Sequence, residues 1–434
     1  MTYEQIYQSK LTTVEDAINS HIKDGDAVYI SALSCAHLLA KEVVRKCKLK
    51  ELTDIKFHGN MVTDDLGLDE TLDPKNLTYY SFFHGPHERA AIKHNLIKFT
   101  PNHLSQFGNY MKSVSPDVSL VQMTPPDEHG YCNIGGTGYL PDALKYSKKI
   151  IAQINKNLPR VIGSCHDYHV SEIAAFVECD RDIFIPPIPE PNEIEKKIAS
   201  YIIERIPDGA CMQLGIGGTA NAVGYGLVDK KHLGVHSEMF TDSLAFLQSK
   251  GVVDNSQKTF MPGISVTGFT FNTPLTNSFI NKNPKVYFTP YSFVNDINNI
   301  SANDNLISIN TALSVDLMGQ VASESIGFNQ YSASGGQVDF VRGATLSNGG
   351  KSFIAIPSVA NTKNGPVSKI SLTLSPGTTV TTLRAEVMYI VTEYGCVNLQ
   401  FVPIDERAKR LISIAHPDFR DELTFEAKKS GLIF

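Results

Sequence analysis

Two segments of the sequence that lie 184 positions apart align without a gap. Residues 22–46 read IKDGDAVYISALSCAHLLAKEVVRK, and residues 206–230 read IPDGACMQLGIGGTANAVGYGLVDK. Each begins with an Asp-Gly turn and continues with an apolar strand, a turn of small residues and an apolar-periodic helix. A second pair, residues 125–136 and 314–327, has a similar offset of 189 positions, from Gly130 to Gly319. A duplicated domain accounts for both pairs.

Strands alternate with helices in both halves, which predicts an α/β fold of two similar tandem domains with largely parallel sheets. The predicted strands are the apolar runs DAVYIS, VSLVQM, KIIAQI, ACMQLG, KVYFTP and SFIAIP. Four prolines in FIPPIPEPNEIEKK, residues 184–197, deny a helix there, and an amphipathic helix follows from Glu193. We therefore predict an N-terminal domain over 1–186 and a C-terminal domain over 192–434.

The overall composition excludes several classes of protein. The 434 residues are 42% hydrophobic with a net charge of −6 and no basic block, which argues against nucleic acid as a partner. No apolar run reaches the ~18 residues of a membrane span, so no membrane association is expected. Seven cysteines without a CxxC pair indicate free thiols in a reducing cytoplasm.

A glycine turn in the second half suggests a binding site for a negatively charged ligand. Gly215, Gly217 and Ala220 fit the G-x-G-x-x-A dinucleotide pattern, and Glu238 follows Gly215 by 23 residues, near the spacing of an NAD-ribose acid. An NAD-dependent dehydrogenase is therefore one alternative. Glycines let the backbone approach a ligand, and the N–H groups at a helix start favour negative charge in either case.

Two further features accompany this turn. In LGVHSEMFTD, residues 233–242, the apolar run predicts a strand, Glu238 is expected in a polar turn after it, and a helix is expected from Phe240. Gly335 and Gly336 precede an apolar segment that we interpret as a strand. Their loop is a second candidate source of backbone N–H groups near a reacting oxygen.

Five motifs in this order resemble the acetyl-CoA hydrolase/transferase family over nearly the whole chain. They are GIGGTANAV, GVHSEMFTDSL, NTALSVDLMGQVASESIG, SASGGQVDFVRGA and VTTLRAEVMYIVTEYGCVNL. The resemblance implies a CoA-transferase that moves CoA between acetyl-CoA and 4-hydroxybutyrate or butyrate. It implies ping-pong kinetics through a glutamyl-CoA thioester, with Glu238 as the nucleophile.

The resemblance also assigns expected roles to individual residues. Asn295 is expected to hold the carboxylate of Glu238 or of the substrate acid, and Leu313 and Lys363 are expected to contact CoA. Backbone N–H groups for the oxyanion and for CoA are expected from two loops, with the residues Gly215, Ile216, Gly217, Gly218, Thr219, Gly335 and Gly336.

No permanently bound cofactor and no metal are expected, because exchange between thioester and anhydride needs neither. CoA and acyl-CoA act as substrates, together with short-chain carboxylic acids, and a cytoplasmic homodimer or higher oligomer is expected.

Some alternatives stay open at this point. A thioester hydrolase of the same family would use water in place of the second acid. A non-catalytic CoA-binding or regulatory protein would have the same glycine turn at residues 215–218.

His84, His87 and His94 lack the paired spacing of zinc ligands. Adjacent Cys165 and His166 give no support for a nucleophile and its base, which usually meet only in space.

Overall fold

The computed structural model of the chain describes residues 1–33, 35–183 and 190–434. These residues form two compact units. One contains residues 1–186 with 266–294, and the other contains residues 187–265 with 295–434. The domain boundary that the sequence predicts between residues 186 and 192 falls largely on residues outside the described part of the chain and stays a prediction. No helix of the described residues is both long and apolar enough to cross a membrane.

The first unit is built on a seven-stranded sheet in which every neighbouring pair is parallel. In sheet order, its strands are Ala175–Glu178, Ile150–Ile154, Val118–Met123, Ala27–Ile30, Ile55–Gly59, Leu77–Ser81 and Ile97–Phe99. The remaining strands are Tyr131–Asn133, Ile162–Gly163, Asp167–His169 and Val286–Phe288, together with Ser265–Phe269, of which residues 266–269 belong to this unit. Two central strands, Val118–Met123 and Ile150–Ile154, are buried at every position, as parallel strands covered on both faces are.

Helices accompany these strands in the first unit. The α-helices are Tyr3–Lys10, Val14–His21, His37–Lys48, Pro86–Ala91, Phe107–Val114, Tyr139–Leu144, Pro274–Ile280 and Tyr291–Val294, and the 3₁₀ turns are Ile92–His94, Leu104–Gln106 and Val170–Glu172. Apolar side chains of His37–Lys48 join those of the central strands in one hydrophobic core, which fixes the helix against the sheet.

The second unit repeats this plan with six neighbouring strands of one sheet. In sheet order, its strands are Gly395–Asn398, Tyr389–Thr392, Lys351–Ala355, Leu306–Thr311, Cys211–Leu214 and Gly234–Met239. Only the hairpin of the first two is antiparallel. The shorter strands are Ser314–Asp316, Val321–Ala322, Ser325–Ile326, Asn329–Gln330, Val359–Thr362, Gly365–Ser368 and Ile370–Ser371.

The helices of the second unit are Glu193–Ile203, Gly218–Gly226, Asp242–Ser249, Ile297–Ser301, Gln337–Leu346, Ile404–Ile414 and Pro417–Lys429. The two segments aligned in the sequence give equivalent pieces: Ala27–Ile30 leads to His37–Lys48, and Cys211–Leu214 leads to Gly218–Gly226. The predicted α/β fold of two similar tandem domains is confirmed.

Two local predictions around the glutamate are wrong. The strand Gly234–Met239 runs through Glu238 rather than ending before it, and every residue of this strand except Glu238 is buried. The next helix begins at Asp242 rather than Phe240. Thr241 caps that helix by accepting a hydrogen bond from the Leu244 N–H at 3.2 Å, which sets its first turn.

The segment after Gly336 is also predicted wrongly, since Gln337–Leu346 is a helix and not a strand. Its apolar residues Val338, Phe340 and Val341 are buried. A short apolar run is compatible with either element, and here packing selects the helix.

Candidate active site

The glycine turn and Glu238 lie at the C-terminal ends of neighbouring parallel strands. Cys211 of one strand pairs with Gly234 of the other, an offset of 23 residues. The same offset brings Gly215 level with Glu238. The spacing that resembled a dinucleotide fingerprint is therefore the register of two adjacent strands, at the edge where open α/β sheets bind ligands.

The glycine turn connects its strand to a helix in three residues. The N–H of Gly215 donates to the carbonyl of Ile309 at 3.0 Å, so the sheet already uses this amide and it is not a ready oxyanion donor. Gly217 has a φ of 125° and is exposed, and a Cβ at this position would meet no atom within 4 Å. The first N–H groups of Gly218–Gly226 have no acceptor within the helix, which leaves them as the better donors of this turn.

Glu238 is held by a side chain from a distant part of the same unit. The Nδ2 of Asn295 donates to the Oε2 of Glu238 at 3.2 Å, and Asn295 is fully buried. Burial raises the pKa of Glu238, the Asn295 hydrogen bond lowers it and the charge of Asp339 raises it, with a result of about 7. Burial desolvates the carboxylate, whereas the residue as a whole keeps part of its surface exposed.

Gly336 leaves the space that this carboxylate occupies. A Cβ at Gly336 would collide with the Oε2 of Glu238 and with the Nδ2 of Asn295. Gly335 has a φ of 56°, in the left-handed region that favours glycine, and Gly336 precedes the first turn of Gln337–Leu346. The structure therefore brings Glu238, Asn295 and Gly336 together, three residues that the sequence had singled out separately.

Sequence reasoning missed Asp339. This residue lies in the first turn of Gln337–Leu346, is 1% exposed and accepts a hydrogen bond from the Nδ2 of Asn295 at 3.3 Å. The available signal was an acidic residue within the apolar run QVDFV, which is rare for a buried segment without a partner.

The other predicted binding residues lie elsewhere in the unit. Ile216 is 39% exposed on the glycine turn, and Thr219 is buried in the helix after it. Leu313 is half-buried, and its N–H donates to the carbonyl of Ala322 at 2.8 Å. Lys363 is exposed in the turn of the hairpin between residues 359 and 368. Their predicted contacts with CoA stay predictions.

The histidines and the cysteine that the sequence singled out as metal or thiol candidates have different surroundings from one another. Among residues 1–33, 35–183 and 190–434, no group of three or more His, Cys, Asp or Glu side chains is arranged to hold a metal ion. His84 is buried with its ring against Phe99, and Cys165 is exposed with a φ of 58°.

The fold and this site define an α/β enzyme with a desolvated glutamate at the C-terminal edge of a parallel sheet. Two family models match the chain. The acetyl-CoA hydrolase/transferase N-terminal domain matches residues 1–204, and the acetyl-CoA hydrolase/transferase C-terminal domain matches residues 275–427. The chain belongs to the acetyl-CoA hydrolase/transferase family.

Known proteins agree with this membership. The chain is 42% identical to the succinyl-CoA:cyclohexane-1-carboxylate CoA transferase of Geobacter metallireducens, over 80% of this chain and 79% of that protein. It is 38% identical to the 4-hydroxybutyrate coenzyme A transferase of Clostridium kluyveri, over 99% and 100%. The crystal structure of RipA from Yersinia pestis superposes with a TM-score of 0.93 at 35% identity and covers 100% of both chains. The predicted enzyme class, a CoA-transferase, is confirmed.

Proposed function

We propose that this protein transfers CoA between short-chain carboxylic acids, with Glu238 as the group that carries the activated intermediates. The observation that carries the proposal is the Glu238 carboxylate itself. It is desolvated although Glu238 as a residue is partly exposed, and it accepts a hydrogen bond from Asn295 at 3.2 Å. A carboxylate that has lost much of its hydration is a better nucleophile than one in bulk water.

The first half-reaction moves CoA from the acyl group to Glu238 and releases the first carboxylic acid. The Glu238 carboxylate attacks the thioester carbonyl of the acyl-CoA, and collapse of the tetrahedral intermediate expels CoA thiolate and leaves a mixed anhydride. The thiolate then attacks the glutamyl carbonyl, which releases the first carboxylate and forms a glutamyl-CoA thioester.

The second half-reaction reverses these steps with another acid. The incoming carboxylate attacks the glutamyl-CoA carbonyl and expels CoA thiolate, which forms a second anhydride. The thiolate attacks the carbonyl of the incoming acyl group, and the new acyl-CoA leaves while Glu238 returns as a carboxylate. No redox or metal chemistry enters this balance.

Each tetrahedral intermediate carries a negative oxygen that needs hydrogen-bond donors. The Asn295 amide is the donor next to the glutamyl carboxylate, and the N–H groups at the start of Gly218–Gly226 are candidates for the acyl oxygen. Loss of one such donor typically costs ~2.7–4 kcal/mol of transition-state stabilisation.

The covalent step is tested by trapping. The protein is incubated with acetyl-CoA without an acceptor acid, reduced with borohydride and mapped by peptide mass spectrometry, with reduction expected at Glu238. Glu238→Gln should show no modification, whereas Glu393→Gln should be labelled like the wild type. Glu393 is a matched control because it is a half-buried glutamate that accepts from the Ser358 N–H at 2.9 Å in the same unit. Labelling at any other residue would refute the role of Glu238.

The acids are identified by an acceptor screen. Acetyl-CoA is mixed with 4-hydroxybutyrate, butyrate, propionate, succinate or cyclohexane-1-carboxylate, and the new acyl-CoA is quantified by chromatography. We expect the highest kcat/KM with 4-hydroxybutyrate or butyrate, the acids that the motif pattern implies. Release of free CoA at the same rate without any acceptor would instead identify a hydrolase.

A further inference from the structure

We propose that Asp339 is a positioning residue of this site, which fixes the Asn295 amide with its N–H groups toward Glu238. The inference rests on the proposed role of Glu238 and adds a residue to which neither the motifs nor the relatives assign a role. The Nδ2 of Asn295 lies 3.2 Å from the Oε2 of Glu238 and 3.3 Å from the Oδ2 of Asp339.

The amide of Asn295 is shared between two carboxylates. An amide nitrogen carries two hydrogens, and here each hydrogen has one carboxylate acceptor. The Oδ1 of Asn295 is buried and has no hydrogen-bond partner within the described part of the chain. The amide orientation is therefore set by its nitrogen end alone.

Asp339 and Glu238 together make this orientation the favourable one. If the amide rotated by 180°, its oxygen would face two carboxylates and both hydrogen bonds would be lost. With a neutral amide at position 339, only the Glu238 carboxylate would hold this orientation. Once acylation removes the Glu238 charge, the rotated form could be satisfied at position 339, because an Asn side chain can donate as well as accept. A rotated amide would present an oxygen, not a donor, to the glutamyl oxyanion.

The position of Asp339 suits a fixed acceptor. It lies in the first turn of a ten-residue helix, where the helix dipole stabilises a negative charge, and its side chain is 1% exposed. Gly336, one turn earlier, lies against both Glu238 and Asn295, so the helix places its acid beside the nucleophile without an intervening side chain.

The charge of Asp339 has a second consequence for the reaction. It opposes ionisation of Glu238, and Asn295 favours it. Acylation removes the Glu238 charge and relieves this repulsion, whereas the Asn295 hydrogen bond to the remaining glutamyl oxygen is kept. Asp339 thereby favours conversion of the carboxylate to the anhydride or thioester.

The test compares the pH dependence of kcat/KM in the wild type, Asp339→Asn and the control Asp316→Asn. Asp316 is an equally buried acid in the same unit, and it accepts from the N–H groups of Met318 and Gln320 at 3.0 and 2.8 Å. We expect Asp339→Asn to lower kcat by roughly ten- to a hundred-fold, the scale of a misoriented catalytic group, with little change in KM. The acidic limb of the kcat/KM profile of Asp339→Asn should move to lower pH, because the loss of a negative neighbour lowers the pKa of Glu238.

Each outcome decides one claim. A merely structural Asp339 would lower the thermal stability and the active fraction but leave the acid limb where it is, as we expect for Asp316→Asn, and that result would overturn the inference. Asp339→Glu, which keeps the charge, should keep the limb in place. Full activity of Glu238→Gln would instead refute the proposed function, so the two failures are distinguishable.

Discussion

The raised pKa of Glu238 predicts that the wild-type protein loses stability relative to Glu238→Gln as the pH rises from acidic to alkaline values. A carboxyl group with a pKa of about 7 in the folded state, against 4.5 in an unfolded chain, binds its proton more tightly when folded. The stabilisation that protonated Glu238 contributes to the folded state is therefore fully present below about pH 4.5 and is lost as the pH rises through about 7. Above pH 7 the loss is complete and constant.

The magnitude follows from the shift. A pKa difference of about 2.5 units corresponds to about 3 kcal/mol, at 1.36 kcal/mol per unit. Glutamine has the same shape and no charge. Glu238→Gln therefore removes the pH-dependent contribution of this side chain to the free energy of unfolding and keeps an acceptor for the Asn295 amide. The difference in unfolding free energy, variant minus wild type, should increase by about 3 kcal/mol between pH 4.5 and pH 8.

The assay is urea unfolding of both proteins at several pH values, followed by a probe of the unit that contains Glu238. Using the change with pH, and not the absolute difference, cancels any contact that the substitution alters at every pH. Asp117→Asn is the control, followed by a probe of its own unit. Burial raises the pKa of Asp117, but hydrogen bonds from the Lys148 ammonium and the Ala27 N–H outweigh burial and lower it. The stabilisation from Asp117 is lost only as the pH falls through this lowered pKa, so the difference between Asp117→Asn and wild type should stay flat from pH 5 to 8.

A difference between wild type and Glu238→Gln that does not change from pH 4.5 to pH 8 would refute the reasoning. It would mean that the Glu238 carboxylate is solvated in the folded protein, and the argument from desolvation to nucleophilicity would fail with it. A change of opposite sign would mean that the site stabilises the ionised form.

Three further outcomes are expected. The kcat/KM for acyl-CoA should rise as the pH increases through about 7, because Glu238 reacts as a carboxylate; a profile that is flat from pH 5.5 to 8.5 would contradict this. Gly336→Ala should lower kcat by roughly a hundred-fold or more with an unchanged circular dichroism spectrum, since the added Cβ collides with Glu238 and Asn295; near-normal kinetics would disprove this close approach. Lys363→Ala should raise the KM for acyl-CoA by roughly ten-fold at constant kcat, as loss of a phosphate contact does, and Lys363→Arg should restore it; an unchanged KM would leave this exposed lysine without a role.

The sequence alone predicted the class of fold because its signals are local. Apolar runs of four to six residues, glycine turns and helix-spaced apolar residues recur in both halves, and each specifies its own element whatever the distant chain does. The predicted strands at 118–123, 149–154 and 352–357 correspond to observed strands that are almost completely buried. Family motifs likewise identified Glu238 and Asn295 one at a time.

Errors occurred where a local pattern permits two structures. The run QVDFV suits a strand or a helix, and only packing in the second unit selects Gln337–Leu346 as a helix. The 23-residue spacing between Gly215 and Glu238 suited a dinucleotide site. It is explained instead by the pairing of two parallel strands, which no sequence window contains.

The sequence by itself thus determined the class of fold and which glutamate belongs to the family motif. Only the tertiary structure decided how that glutamate is tuned, because its partners are far away in the chain: Asn295 is separated from Glu238 by 57 residues and from Asp339 by 44. Desolvation, amide orientation and like-charge repulsion depend on distances of a few ångströms between such residues. Those distances exist only after the sheet and its helices have packed together.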